Sequence, residues 1–260
     1  MSKTIEKWDK AADGFQKTFE SGGSDYSRRL MDFITGACGI SAGSRVLDIG
    51  CGVGKYGVYL ARLGVAVTLT DISPKMLEHA RRNLAATGGS YRTLCGDWDA
   101  FDLGEPELAG GFDLSMATMS PAIHDLPSVR KMSAVTKGVC LVANFVSWND
   151  HSAELYRAAL GLTAQEDESL GAACDELCGF VREAGFVPRV RREPYCWADM
   201  RSPEESVRRF IERSLGGAAD ESRREILLER ARAMANAEGL VCDSVNTEVA
   251  WVYWNTEERK

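Results

Sequence analysis

The stretch RVLDIGCGVGKYG, from Arg45 to Gly57, contains closely spaced glycines and one aspartate. Gly52, Gly54 and Gly57 have the G-x-G-x-x-G spacing of a dinucleotide-binding turn, in which glycine lets the backbone approach the ligand closely. Such a turn offers helix N–H groups to a pyrophosphate. Asp48, just before the glycines, would repel that anion. The stretch therefore favours a ligand that is positively charged at this point.

S-adenosylmethionine has that property, because it carries an ammonium and a sulfonium group and no phosphate. The Asp48 carboxylate could attract the ammonium group directly or through a water molecule. The same residue disfavours NAD. The residues around the turn thus indicate S-adenosylmethionine as the cofactor.

Four stretches resemble motifs of the class I, Rossmann-like S-adenosylmethionine-dependent methyltransferases of the small-molecule type. The first is similar to the family pattern hydrophobic-hydrophobic-D-x-G-x-G-x-G, and the second has an acidic residue at the end of the second strand. The third and fourth correspond to the third motif and to the fourth strand with its active-site loop. The stretches are VLDIGCGVGKYGVYLA, VTLTDISPKMLEHAR, CGDWDAFD and FDLSMATMSPAIHD. The resemblance covers Arg45 to about Ser147.

The resemblance implies a role for each matching position near the ribose and the methionine part of the cofactor. Gly50, Gly52 and Gly54 would line the methionine part, with Asp48 beneath its amino group. Asp71 would accept hydrogen bonds from both ribose hydroxyls, which suits the two oxygens of a carboxylate. An isolated Asp71 could also be a simple turn former.

The resemblance also implies an adenine site. Ile72 would pack on the ring, Asp97 would accept from the exocyclic amine, and Trp98 would border the base. Gly-Asp is equally a common turn sequence, and Trp98 could be a core or rim aromatic residue. In the N-terminal segment, which resembles a lid, Tyr26 could fold over the cofactor and Arg29 could bind its carboxylate. Their alternatives are a packing residue and a surface charge.

Methyl transfer from a sulfonium is an in-line displacement that yields S-adenosylhomocysteine, and positioning can supply much of its acceleration. The loop after the fourth strand reads Met119-Ser120-Pro121-Ala122 instead of the N/D-P-P-Y/F of amino-directed nucleic-acid methyltransferases. His124, on the same loop, is the candidate general base because its ordinary pKa is near neutrality. Alternatively, His124 is a solvent-facing residue and Asp125 is the N-cap of the next helix.

Aromatic residues in the second half of the chain could contact the acceptor. Trp148 follows the fifth strand, and with Trp197 it could form a wall that favours a planar or cationic acceptor; both could equally be core residues. The eight cysteines are scattered, without a C-x-x-C pair. The sequence therefore predicts no disulfide framework and no metal site.

The order of apolar and amphipathic segments predicts an α/β fold: a seven-stranded, mostly parallel, doubly wound sheet in one domain spanning residues 1–260. It would comprise an N-terminal helical lid (1–44), a cofactor-binding core (45–200), a helical insertion between strands 6 and 7 (201–243), and a final strand (244–260). Ser73 and Pro74 predict a helix start.

Composition limits the partners. The 260 residues are 45% hydrophobic and 27% charged, and 31 basic residues face 38 acidic ones, for a formal net charge of −7. Nucleic-acid binders usually present a basic face, so a small-molecule acceptor is favoured. The absence of a long apolar segment predicts a cytoplasmic protein without a membrane span. The charged helices of 201–243 could form a homodimer or cap the acceptor. The alternatives are a tRNA or protein methyltransferase, or a non-catalytic protein that binds the cofactor.

Overall fold

The computed structural model describes residues 3–22, 25–163 and 168–259. The helices there are α1 (Lys3–Glu20), α2 (Asp25–Gly36), α3 (Lys55–Arg62), α4 (Pro74–Ala85), α5 (Leu126–Ala134), α6 (His151–Ala159), α7 (Glu168–Glu183), α8 (Pro203–Ser214) and α9 (Glu221–Met234). The strands are β1 (Arg45–Ile49), β2 (Ala66–Asp71), β3 (Tyr91–Cys95), β4 (Phe112–Thr118), β5 (Thr136–Phe145), β6 (Asn149–Asp150), β7 (Arg189–Arg201) and β8 (Val241–Asn255). None of the described helices combines the length and the apolar character that a bilayer crossing requires.

The strands pair in the order β3-β2-β1-β4-β5-β8-β6, and β7 pairs with β8. Strands β1 to β5 pair in parallel, whereas β6 and β8 are antiparallel. The predicted α/β class and mostly parallel sheet are confirmed. The described residues form eight strands instead of the predicted seven. The additional strand is β6, which has only two residues. Such a short segment has no periodicity to reveal it. Helices α8 and α9 separate the last two strands, as predicted for the insertion.

The chain forms two compact units. The first comprises Met1–Asn144, Ala173–Glu193 and Ala250–Lys260, and the second comprises Phe145–Ala172 and Pro194–Val249. The predicted insertion, 201–243, falls within the second unit. The single domain expected from the sequence stays a prediction.

In the first unit, strand β1 is buried along nearly its whole length, as expected for a parallel strand covered on both faces. Val46, Leu47 and Ile49 are fully buried. Helix α4 begins where the sequence predicts: Pro74 is its first residue, and the Ser73 hydroxyl accepts a hydrogen bond from the Met76 N–H at 3.1 Å. This cap fixes the helix start immediately after β2, at the edge of the sheet where Asp71 lies.

The second unit has its own apolar core, formed by α6, α8 and α9. Its largest members are Tyr156, Phe210 and Leu227. A chain of polar contacts crosses this core. The Ser206 hydroxyl donates to Asp243 Oδ1 at 2.7 Å, so the Tyr156 hydroxyl, 2.7 Å away, donates to Ser206.

Asp243 therefore joins α8 to the end of β7. Arg201 Nε lies 3.2 Å from Asp243 Oδ2, and the Asp243 side chain is only 6% exposed. Removing this buried carboxylate leaves the Ser206 hydroxyl without its acceptor and Arg201 without its most buried ion-pair partner, and such a loss usually costs several kcal/mol. We expect Asp243→Ala to lower the free energy of unfolding by about 3 kcal/mol in urea denaturation at pH 7.

Asp199 provides the matched control. It also pairs with Arg201, at 2.5 Å, but its side chain is 48% exposed. Solvent screens such a pair, so Asp199→Ala should cost less than about 1 kcal/mol. Equal losses in the two variants would contradict a special role for burial at Asp243.

Candidate cofactor site and active site

The glycine turn is anchored on the end of β2. The N–H groups of Gly50 and Cys51 donate to the Thr70 carbonyl at 2.8 and 3.0 Å. Gly50 has φ 69°, and a Cβ built on it would lie 2.0 Å from the Ser120 Oγ. Backbone conformation and space both require glycine here. The turn also brings Ser120, from the loop after β4, beside the end of β1.

The next glycines serve two purposes. Gly52 and Gly54 have φ values of 55° and 77°, which favour glycine, and Gly54 precedes the first residue of α3. A Cβ on Gly57 would lie 2.8 Å from a Leu69 methyl group, so this glycine lets α3 pack closely on β2. The geometry thus resembles a nucleotide turn, with two glycines shaping the loop and one allowing helix–strand packing.

Asp48 lies in this turn as a buried carboxylate. It is 1% exposed, and neither of its oxygens has a hydrogen-bond partner among the described residues. Burial, with a contribution from the charge of Asp71, raises the pKa of Asp48 to about 7. A buried carboxylate without donors is costly. It therefore fits the ammonium group of S-adenosylmethionine, which supplies both charge and N–H donors.

Asp71 ends β2 beside the turn. Its Oδ2 accepts from the Gly52 N–H and its Oδ1 from the Ser73 N–H, both at 2.8 Å. Burial raises the pKa of Asp71, while these N–H groups oppose that shift. Each oxygen keeps a further lone pair that a ribose hydroxyl could use. The ribose contact stays a prediction. Ile72 is half-buried next to Asp71, and its predicted contact with the adenine ring also stays a prediction.

The turn after β3 holds the other predicted adenine residues. Asp97 is exposed, and its Oδ1 accepts from the Asp99 N–H at 3.1 Å. Trp98 is buried, and its indole N–H has no partner within the described chain. Lys131 donates to the carbonyls of Trp98, Asp99 and Phe101 at 3.0, 2.7 and 2.8 Å. Lys131 therefore holds this turn in place, a role that no sequence motif indicated.

The contacts of Tyr26 and Arg29 match the alternative roles given above, a packing residue for Tyr26 and a surface charge for Arg29. Tyr26 is 2% exposed, and its hydroxyl accepts from the Trp251 indole N–H at 2.9 Å. Arg29 pairs with Asp25 and donates to Glu193 Oε2 at 2.8 Å. The first side chain packs in the core and the second makes ion pairs. A cofactor contact by either residue stays a prediction.

Helix α1 lies against the glycine turn. Ala12 packs with Val53 and Met76, and the Asp9 carboxylate accepts from the Ser73 hydroxyl at 2.6 Å. The charge of Asp9 adds to the factors that raise the pKa of Asp71. The N-terminal helix thus contributes a third carboxylate near the two of the cofactor site, and the sequence patterns did not reveal it.

The loop after β4 is strained at its first residue. Met119 has φ 53°, a left-handed conformation rare for a residue with a side chain, and its N–H donates to the Ala143 carbonyl at 2.7 Å. Strain of this kind concentrates at functional sites. The sequence patterns identified the loop but not its strain.

His124, farther along this loop, is 54% exposed. Its Nδ1 lies 3.2 Å from the Pro121 carbonyl, which fixes that nitrogen as the donor, and its Nε2 lies 3.8 Å from Asp99 Oδ2. Asp125 is the N-cap of α5 and accepts from the Ser128 N–H at 2.8 Å, so the predicted cap is confirmed. That bond is the main cause that lowers the pKa of Asp125. The base role of His124 stays a prediction.

This fold, with a glycine turn and two acidic residues at the ends of neighbouring strands, has the arrangement of an α/β nucleotide-binding domain. Residues 46–139 match the family model described as a methyltransferase domain, so this segment is similar to the S-adenosylmethionine-dependent methyltransferase family. The cofactor of this family is S-adenosylmethionine, as the sequence predicts.

Individual relatives agree with this family. The 27-O-demethylrifamycin SV methyltransferase of Amycolatopsis mediterranei is 28% identical over 167 residues, 62% of this chain and 60% of the relative. An S-adenosyl-L-methionine-dependent Diels-Alderase of Talaromyces variabilis is 45% identical over 56 residues, 22% of this chain and 19% of the relative. The chain therefore covers less than two thirds of the length of these curated relatives.

Solved structures show the same fold. The YcgJ protein of Bacillus subtilis has a TM-score of 0.54 at 17% identity, with 91% of this chain and 100% of that one covered. A putative methyltransferase from Bacillus halodurans has a TM-score of 0.52 at 16% identity, with 90% and 99% covered. At these identities the likeness concerns the fold alone.

The raised pKa of Asp48 makes a prediction about stability. Its pKa is about 7 in the folded protein and near 4 in the unfolded chain. Between about pH 4 and pH 7 the carboxyl is therefore ionised in the unfolded chain but largely protonated in the folded protein, and the free energy of unfolding falls as the pH rises. Asp48→Asn removes that ionisation. We expect the variant to gain about 2–3 kcal/mol relative to the natural protein between pH 5 and pH 8, measured by urea denaturation without ligand.

Asp113→Asn, on neighbouring β4, is the control. Partial burial opposes the shift, but hydrogen bonds from the Arg45 N–H and Lys137 lower the pKa of Asp113. This carboxyl is therefore ionised in both states from pH 5 to pH 8, and the stability difference of its variant should stay constant. A constant difference for Asp48→Asn as well would contradict the raised pKa of Asp48.

Proposed function

We propose that this chain transfers the methyl group of S-adenosylmethionine to a small-molecule acceptor. The buried Asp48 carboxylate carries the proposal, because neither of its oxygens receives a hydrogen bond from the described residues and a glycine turn of the right shape lies beside it. An ammonium-bearing nucleotide would satisfy it, whereas a pyrophosphate would be repelled. Asp71, 8% exposed with a free lone pair on each oxygen, would orient the ribose.

Methyl transfer requires the protein mainly to position the cofactor and the acceptor. Bound at the turn, S-adenosylmethionine supplies a methyl group on a positively charged sulfur. Attack by the acceptor atom on that carbon would displace the sulfur, which would keep the electron pair of the broken carbon–sulfur bond. Asp48 and Asp71 hold the reacting geometry, which is where most of the acceleration would arise. The loop from Met119 to His124 starts next to the turn, since Ser120 lies against Gly50.

Two observations support a small molecule as the acceptor. The formal net charge is −7, which opposes the phosphate contacts that dominate nucleic-acid binding. Among the relatives, the rifamycin enzyme and a ubiquinone biosynthesis O-methyltransferase of Xanthomonas oryzae, 38% identical over 74 residues, are named for small acceptors. The alternative acceptor is RNA, because a small-subunit ribosomal RNA methyltransferase of Chromohalobacter salexigens is 38% identical over 100 residues. The acidic charge disfavours that alternative.

Cofactor binding without methyl transfer is the other alternative. A relative named as a Diels-Alderase matches over 56 residues, so a cofactor domain of this kind occurs in a protein named for another reaction. Formation of S-adenosylhomocysteine under turnover would separate the two, because only methyl transfer consumes the cofactor.

The first test is calorimetric titration with S-adenosylhomocysteine. We expect micromolar binding by the natural protein and a loss of at least about tenfold in Asp71→Ala, since hydrogen bonds to a charged group contribute about 1.5–3 kcal/mol. Asp32→Ala, on the exposed face of α2, should bind as the natural protein does. If the folded natural protein fails to bind, the cofactor assignment is wrong.

The second test concerns His124. In a screen of phenolic acceptors, the rate of S-adenosylhomocysteine formation should fall about 100-fold or more in His124→Asn, because a positioned base typically contributes that much. The affinity for S-adenosylhomocysteine should not change. His151→Asn, an exposed histidine at the start of α6, is the control. An unchanged rate in His124→Asn would contradict the base role of His124 and would mean that solvent accepts the proton of the acceptor.

A further inference from the structure

Asp9 of α1 brings a third carboxylate to the edge of the sheet where Asp48 and Asp71 lie, and the proposed methyl transfer leaves it without a role. Asp9 is half-buried. Its Oδ1 accepts a hydrogen bond from the Ser73 hydroxyl at 2.6 Å and lies 3.4 Å from the backbone nitrogen of Lys75, the second residue of α4. A carboxylate is stabilised at the N-terminus of a helix. Asp9 therefore joins α1 to the start of α4, just after Asp71.

Ser73 connects the carboxylates of Asp9 and Asp71. It is completely buried, its N–H donates to Asp71 Oδ1 at 2.8 Å, and its hydroxyl donates to Asp9. The hydroxyl oxygen also accepts from the Met76 N–H at 3.1 Å. A serine hydroxyl has a single proton, so the proton that is donated to Asp9 is not donated to Asp71.

The destination of this proton matters for the ribose. Without Asp9, the Ser73 hydroxyl would be a buried donor that has lost its acceptor, which is costly. Asp71 Oδ1 already bonds to the N–H of the same serine, so its remaining lone pair is an alternative acceptor nearby. A ribose hydroxyl would use that same lone pair. The Ser73 hydroxyl would then compete with the ribose for Asp71.

We propose that Asp9 is a positioning residue of the cofactor site, which keeps the Ser73 proton away from Asp71 and so leaves the Asp71 carboxylate available to the ribose. The inference rests on the proposed function for the identity of the ligand. It also makes the docking of α1 a part of nucleoside binding, because Asp9 reaches Ser73 only while α1 lies against α4.

A second contact between α1 and α4 allows these two effects to be separated. Asp13, one helical turn after Asp9, lies with its Oδ1 3.0 Å from His79 Nε2. This contact holds the same two helices together but does not involve Ser73. Asp13→Ala therefore loosens α1 without releasing the Ser73 proton.

The test is calorimetric titration of the full chain with S-adenosylhomocysteine. We expect Asp9→Ala to weaken binding about tenfold, because the Ser73 hydroxyl then occupies the acceptor that the ribose needs. Asp9→Asn keeps an oxygen that can accept from Ser73 and should stay within about threefold of the natural protein. Combining Asp9→Ala with Ser73→Gly removes the competing proton at little cost to the helix start, so this double variant should regain most of the lost affinity. Loss of a merely structural contact would not be reversed in this way.

Asp13→Ala is the matched control and should bind S-adenosylhomocysteine within about twofold of the natural protein. The proposal is overturned if Asp9→Ala binds normally, if Asp13→Ala loses as much affinity as Asp9→Ala, or if the double variant binds no better than Asp9→Ala. In each of these cases the natural protein binds the ligand, and the cofactor assignment stands. If the folded natural protein does not bind, the cofactor assignment fails and this inference fails with it.

Discussion

The candidate cofactor site of the first unit is built around one group that has no hydrogen-bond partner among the described residues, the Asp48 carboxylate. It stands in a strand that is otherwise apolar and fully buried, and the neighbouring Asp71 makes its ionisation still more costly. The surrounding fold tolerates this because the parallel strands and the anchored glycine turn pack well without its help. A buried charge kept without a partner is best explained by a ligand that brings the opposite charge.

The position of this carboxylate is set by the backbone around it. The turn after β1 bonds to Thr70, Asp71 bonds to the turn through Gly52, and Ser73 starts α4 just beyond. Each of these hydrogen bonds satisfies an N–H group that the turn would otherwise leave exposed, so the protein's own contacts shape the turn without a ligand. Preorganisation of this kind lowers the entropy that binding would otherwise cost.

Sequence patterns revealed this part of the molecule because local rules determine it. Buried strands, the Ser73-Pro74 helix start and the glycine spacing all depend on residues close together in the chain. The remaining features depend on distant residues. Tyr26 bonds to Trp251 across the fold, Lys131 holds a turn some thirty residues earlier, and Asp9 joins the cofactor carboxylates. No periodicity or spacing encodes such contacts, nor the left-handed backbone of Met119, whose N–H bonds to the Ala143 carbonyl of β5.

Asp243 and Asp48 show why the missing partner is informative. Both are buried aspartates, but Asp243 receives a hydroxyl hydrogen bond from Ser206 and an ion pair from Arg201, whereas Asp48 receives nothing from the described chain. The first is accounted for by its role in holding the second unit together. The second has no structural role that its contacts could explain, and its burial works against stability. Binding of a cation, as we propose, would account for its presence, and the glycine turn beside it favours a cation that belongs to a nucleotide.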